Sequence, residues 1–152
     1  MFPFSKNKPQ FFLASEKEQI VNAIRQAEKT TSGEIRLFVE SRCRFMDALD
    51  RAAEVFFHLK MDLTEDRNGV LVYIAMRDRQ IAIFGDENIH KRLGASFWQT
   101  EVEQMMEKFQ GEHIVDGIVQ CMADIGQALH KEFPFEPGHD KNELPDDIVF
   151  GH

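Results

Sequence analysis

The stretch Asp66-Arg67-Asn68-Gly69-Val70-Leu71-Val72-Tyr73-Ile74-Ala75-Met76 decides the fold. A polar turn leads straight into a continuous apolar run, the signature of a strand buried on both faces. Downstream, Arg77-Asp78-Arg79 is a short polar turn into Ile81-Ala82-Ile83-Phe84, so the two runs form an antiparallel hairpin. Upstream, Ile35, Leu37 and Val39 alternate with Arg36, Phe38 and Glu40, which reads as another strand. Between these strands, Leu49, Ala52, Ala53 and Phe56 mark the apolar face of a helix from about Phe45 to Leu59. A strand–helix–strand crossover is parallel and right-handed.

The flanks supply the other layers. Ser15-Glu16-Lys17-Glu18 has capping-box spacing, and Ile20, Ile24 and Ala27 share a helical face that ends at Ser32-Gly33. Trp98, Val102, Met105, Met106 and Phe109 line another helix, stopped by Gly111. Ile118, Met122, Ile125, Leu129 and Phe133 line the last one, closed by Pro134. The expectation is an α/β protein: a three-layer α/β/α sandwich around a small mixed sheet of Rossmann-like appearance. Residues 1–133 form the domain, with an aromatic N-terminal extension, and residues 134–152 read as an irregular, acidic, proline-containing tail.

The chain has 152 residues and a formal net charge of −8, with 43% hydrophobic and 29% charged residues. That suits one globular domain. The acidity argues against nucleic-acid binding, which needs a basic stripe, and against docking on anionic lipid. It favours cations, or proteins with a basic surface, as partners. Val70 to Met76 is far shorter than the ~20 residues of a membrane span, and no secretory signal is evident. Two cysteines are too few for a disulfide scaffold. A cytoplasmic protein is therefore expected.

Several chemistries lack their motif. There is no glycine-rich phosphate loop and no nucleophile elbow. Cys43 lies between Arg42 and Arg44, which would favour a thiolate. However, Leu49 stands where a phosphate-cradling arginine belongs, so the cysteine reads as structural. Cys121 reads as packing. The six histidines show no zinc spacing. Asp66-x-Asn68-Gly69 resembles part of an EF-hand loop, but Thr64 and Ala75 then fall where Asp and Glu are required.

Topology offers one constellation. The two parallel strands start at the same end of the sheet, and the antiparallel third strand finishes there. Glu34, Asp66, Asn68, Asp86 and Glu87 thereby converge at one rim. Clustered carboxylates repel, and a hard divalent cation with oxygen ligands relieves that cost, which suits Ca²⁺ or Mg²⁺. The plainer alternative makes Asp86 or Glu87 a helix cap and Glu34 a solvated strand-start residue.

Four blocks then carry a family resemblance: Thr31-Ser32-Gly33-Glu34-Ile35, Asp66-Arg67-Asn68-Gly69-Val70-Leu71, Asp78-Arg79-Gln80-Ile81-Ala82-Ile83 and Phe84-Gly85-Asp86-Glu87. In this order and spacing the chain resembles the TPM domain family from about Ser15 to Phe133. The closing Asn142-Glu143-Leu144-Pro145-Asp146-Asp147 is similar to the tail of stand-alone, soluble bacterial members. The resemblance implies the same α/β/α sandwich with bound Ca²⁺ or Mg²⁺. In plant thylakoid relatives it also implies acid phosphatase activity and a link to photosystem repair. Its acidic blocks fall on Glu34, Asn68, Asp86 and Glu87, with Asp78 on the hairpin turn.

Three functions follow as expectations. The first is a divalent-cation-binding module supporting a protein assembly or quality control. The second is a metal-dependent phosphatase, in which Arg67 is the nearest cation to clamp a phosphate. The third is a ligand-free interaction domain using Phe97, Trp98 and the N-terminal Phe2, Phe4, Phe11 and Phe12, although Trp98 and some of these phenylalanines fit a core role better.

Overall fold

A computed structural model describes residues 10–137 and 147–151. The elements run α1 (Ala14–Glu28), β1 (Glu34–Glu40), α2 (Ala48–His58), β2 (Gly69–Ala75), β3 (Gln80–Gly85), α3 (Glu87–Leu93), α4 (Ala95–Gln110), α5 (Ile114–Glu132) and β4 (Val149–Phe150). The sheet order is β3-β2-β1-β4. β1 and β2 are parallel, with Glu34 opposite Gly69, and β3 returns antiparallel, with Gly85 opposite Val70. The small α/β fold and its mixed sheet are as the sequence predicts.

Alternation along the strands builds two cores. Ile35, Leu37, Val39, Val70, Val72 and Ile74 point to one face and pack with α1, α4 and α5. Leu71, Tyr73 and Ala75 point to the other and pack with Ala52, Val55 and Phe56 of α2. Every residue of β2 is buried, as its unbroken apolar run requires. Phe56 has no exposure, so truncating it to Ala is expected to cost roughly 3–5 kcal/mol.

Several boundaries differ from expectation. The first helix is capped at Leu13 rather than Ser15, because Glu16 reaches back to accept the Leu13 N–H at 2.7 Å. That helix ends at Glu28, well before Gly33, and Glu28 Oε2 accepts the Ile35 N–H at 2.7 Å to tie the helix end to β1. Asp47 starts α2 by accepting the Asp50 N–H at 2.8 Å, so the helix begins later than Phe45. Leu49 in its first turn is 54% exposed instead of buried. Phe45 stands outside the helix with a left-handed φ of 71°.

The residues after Pro134 are not uniformly irregular. Thr31 and Pro134 form an isolated bridge, and β4 lies parallel to β1, with Phe38 opposite Val149. Phe12 is buried and sits 6.4 Å from the Phe150 ring, with Phe11 at 6.5 Å. Trp98 is likewise buried and Phe97 partly so. These aromatics pack the core, against the docking-patch reading. Phe2, Phe4 and residues 142–146 of the acidic tail lie outside the described residues.

Candidate cation-binding rim

The register sets the rim. Glu34 opens β1 opposite Gly69, and Asp86, one residue past β3, donates its N–H to the Gly69 carbonyl at 2.9 Å. Glu34, Asn68 and Asp86 are thus brought to one end of the sheet, and all three are at least 98% buried. Glu34 is therefore no solvated strand-start residue. Asp66 and Glu87 belong to the same end but are exposed.

The Asp86 carboxylate is fully engaged. It accepts the Glu87 N–H at 2.8 Å and so caps α3. It also accepts Arg67 Nε at 2.7 Å and Arg67 Nη2 at 2.8 Å. Arg67 has a left-handed φ of 50°, a conformation costly for a non-glycine residue. Its Nη1 lies 3.4 Å from Glu87. The guanidinium is therefore paired rather than solvated, and its pKa is raised, above all by the hydrogen bonds to Asp86. Part of the repulsion assigned to a metal ion is relieved by this arginine.

The other half of the rim is built on amides and hydroxyls. Asn68 Nδ2 donates to Ser32 Oγ at 3.2 Å, and Ser32 Oγ lies 3.5 Å from Asp66 Oδ2. The Asp66 carbonyl accepts Asn88 Nδ2 at 2.8 Å, and the Arg67 carbonyl accepts the Asn88 N–H at 3.1 Å. This lacing fixes the 64–68 loop against α3. Two buried side-chain oxygens of that loop, Asn68 Oδ1 and Thr64 Oγ1, have no hydrogen-bond partner in the structure. Buried acceptors left so are uncommon and costly.

Asp78 does not join them. The β2–β3 turn that carries it is at the opposite end of the sheet, because β2 runs away from the rim before turning back. There Asp78 accepts the Cys43 N–H at 2.8 Å and lies 4.0 Å from Arg42. Cys43 is buried, with its thiol 3.3 Å from the Met46 carbonyl, which is a structural role. Beside it sits a network that the sequence reading missed. Glu40, nearly buried, accepts Arg51 at 2.9 and 3.0 Å and the Tyr73 hydroxyl. A charged residue closing an apolar strand, with an arginine in the next helix, was its only sequence signal.

Among the described residues, no three His, Cys, Asp or Glu side chains are grouped to hold a metal ion. A cation at the rim would instead use mixed oxygen donors. The unpartnered Asn68 Oδ1 fits that role, and Glu34 and Asp66 supply carboxylates at the same end. This donor chemistry suits Ca²⁺ or Mg²⁺ and no softer metal.

A family model described as the TPM domain matches residues 6–128. The chain belongs to the TPM domain family. The domain is similar to the BA42 protein of the psychrophilic bacterium Bizionia argentinensis, whose structure was solved by NMR. That chain is 40% identical and aligns with a TM-score of 0.85, covering 97% of this chain and 100% of its own. The N-terminal domain of cg2496 from Corynebacterium glutamicum shares the fold at 10% identity and a TM-score of 0.62, covering 100% of this chain and 96% of its own. No curated protein matches the TPM domain described here. No helix among its described residues is long and apolar enough to cross a membrane.

Proposed function

We propose that this TPM domain binds a divalent cation, Ca²⁺ or Mg²⁺, at the rim, and thereby supports a protein assembly. The observation that carries the reading is the buried, unpartnered Asn68 Oδ1 at the end of the sheet shared by Glu34 and Asp86. Asn68, Asp66 and Glu34 would hold the ion, with Arg67 retaining Asp86. A bound cation would complete the Asn68 acceptor and lock the 64–68 loop to α3.

The phosphatase alternative draws support from the name of the family model, which includes that word. The local chemistry favours binding instead. Both oxygens of Asp86 are held by Arg67, and Arg67 is thereby occupied as a phosphate clamp.

The test is calorimetric and NMR titration with CaCl₂ and MgCl₂. Saturable binding should perturb the amides of Ser32, Glu34 and residues 64–68, and Asn68→Ala should weaken it at least ~tenfold, as loss of a direct ligand implies. Absence of saturable binding in the wild type overturns the proposal.

A further inference from the structure

The described sheet has two edges, the two-residue β4 and the six-residue β3. β3 pairs with β2 on one side only. Asp86 N–H points to β2, and main-chain direction alternates along an antiparallel strand, so the Ala82 and Phe84 groups face β2 while those of Ile81 and Ile83 face outward. No described residue accepts from or donates to the outward N–H and C=O groups of Ile81 and Ile83. The side chains of both residues are anchored in the core, and an unpaired strand edge is a ready template for another strand.

These groups lie along a groove of about 850 Å³ with α2 on one lip and α4 on the other. Its lining is mainly apolar. Leu49 and Phe57 project from α2 and are 54% and 50% exposed. Large apolar side chains left beside an unpaired strand edge mark an interaction surface. The charged side chains on the lips are acidic, namely Asp50, Glu87 and Glu103. The groove's one arginine, Arg67, is neutralised by Asp86.

We propose that this groove docks an extended segment of a partner protein, apolar at alternate positions and basic at its flanks, which adds as a strand beside β3. Main-chain hydrogen bonds to Ile81 and Ile83 set its register. Alternate apolar side chains fill the space toward Leu49 and Phe57 on one side and Val102 on the other. The basic flanks meet Asp50, Glu87 and Glu103. A second copy of this chain suits the groove poorly. Its own β3 edge is recessed between the same two helices, and its lips carry the same negative charges.

The test uses the full chain in EDTA, so that the outcome does not depend on the cation site. The probe is a synthetic peptide of alternating valine and threonine with lysines at both ends. Its controls are the same peptide with glutamates at the ends, and one N-methylated at alternate residues. The expected result is saturable binding of the lysine peptide, with the Ile81 and Ile83 amides perturbed and slowed in hydrogen exchange. Either control should bind at least ~tenfold more weakly. Leu49→Lys and Glu103→Lys, both on exposed positions, should each weaken binding several-fold while circular dichroism stays unchanged. Lack of saturable binding overturns the proposal. Equal binding of the N-methylated peptide also overturns it, since that is adhesion without strand pairing. Concentration-dependent self-association that protects the Ile81 and Ile83 amides in the absence of peptide assigns the groove to a second copy, and again overturns it.

Discussion

Arg67 holds Asp86 by two parallel hydrogen bonds, of 2.7 and 2.8 Å, from a left-handed backbone position. The pair places a resident positive charge at the end of the sheet that the sequence marks as acidic. A metal ion seeking Asp86 must therefore displace a bidentate guanidinium, one of the stronger charge-assisted contacts. Arg67→Gln is expected to tighten Mg²⁺ binding by roughly tenfold, measured by calorimetry. An unchanged affinity would restrict Asp86 to capping α3.

Glu101 makes stability depend on pH. Burial, and next the neighbouring Asp124, push its carboxyl from an ordinary 4.5 to about 7. The folded state thus binds a proton that the unfolded state releases earlier. The stabilisation is complete below pH 4.5 and is lost as pH rises through about 7. The difference is worth about 3 kcal/mol. Glu101→Gln should match the wild type at pH 4 and exceed it by about that amount at pH 8, in urea denaturation. Parallel pH profiles for the two proteins would sink the idea.

Tyr73→Phe tests the network under α2. The Tyr73 hydroxyl donates to Glu40, and burial followed by that bond pushes its pKa up, so it stays neutral. Removing the hydroxyl leaves the buried carboxylate to Arg51 alone. The expected loss is roughly 1.5–3 kcal/mol, with no new cavity at the ring. A change under 0.5 kcal/mol would mean that Arg51 and solvent suffice.

Gly126→Ala tests the approach of α5 to α1. An added Cβ would lie 2.7 Å from Ala27 Cβ and 2.9 Å from Ala27 Cα, so backbone must move. Overpacking of this kind costs about 1–3 kcal/mol, visible as a lowered melting temperature. Gly94→Ala would act differently: space is open there, and its φ of 83° is what resists a side chain.

The sheet was legible because its central strands obey simple patterns. Ile35, Leu37 and Val39 alternate, Val70 to Met76 is continuous, and the turn at Asp78 is short. Those patterns also predict that Glu34, Asn68 and Asp86 meet. Val149–Phe150 is too short to carry a period, and its place beside β1 comes from tertiary packing on Phe11 and Phe12. The Arg67–Asp86 grip was hidden because it depends on a backbone angle. Asp78 is on the hairpin turn, as the sequence reads, and that turn lies at the end of the sheet opposite the rim. Glu101 was within reach. It lies three residues after Trp98 and four before Met105, on the face that buries Trp98, Met105 and Phe109, where the reading placed Val102.

Finally, β4 has a consequence for synthesis. Phe38 and Val149 are neighbours in the sheet but stand near opposite ends of the described chain. As the chain emerges, β1, β2 and β3 can assemble while the outer side of β1 waits for a partner made much later. Long-range pairings of this kind are slow and leave strand edges open to aggregation. A ribosome-bound fragment lacking residues 147–151 therefore displays a second naked sheet margin. In the nascent protein the vulnerable side is that of β1, which in the finished fold β4 pairs at Phe38 and Val39.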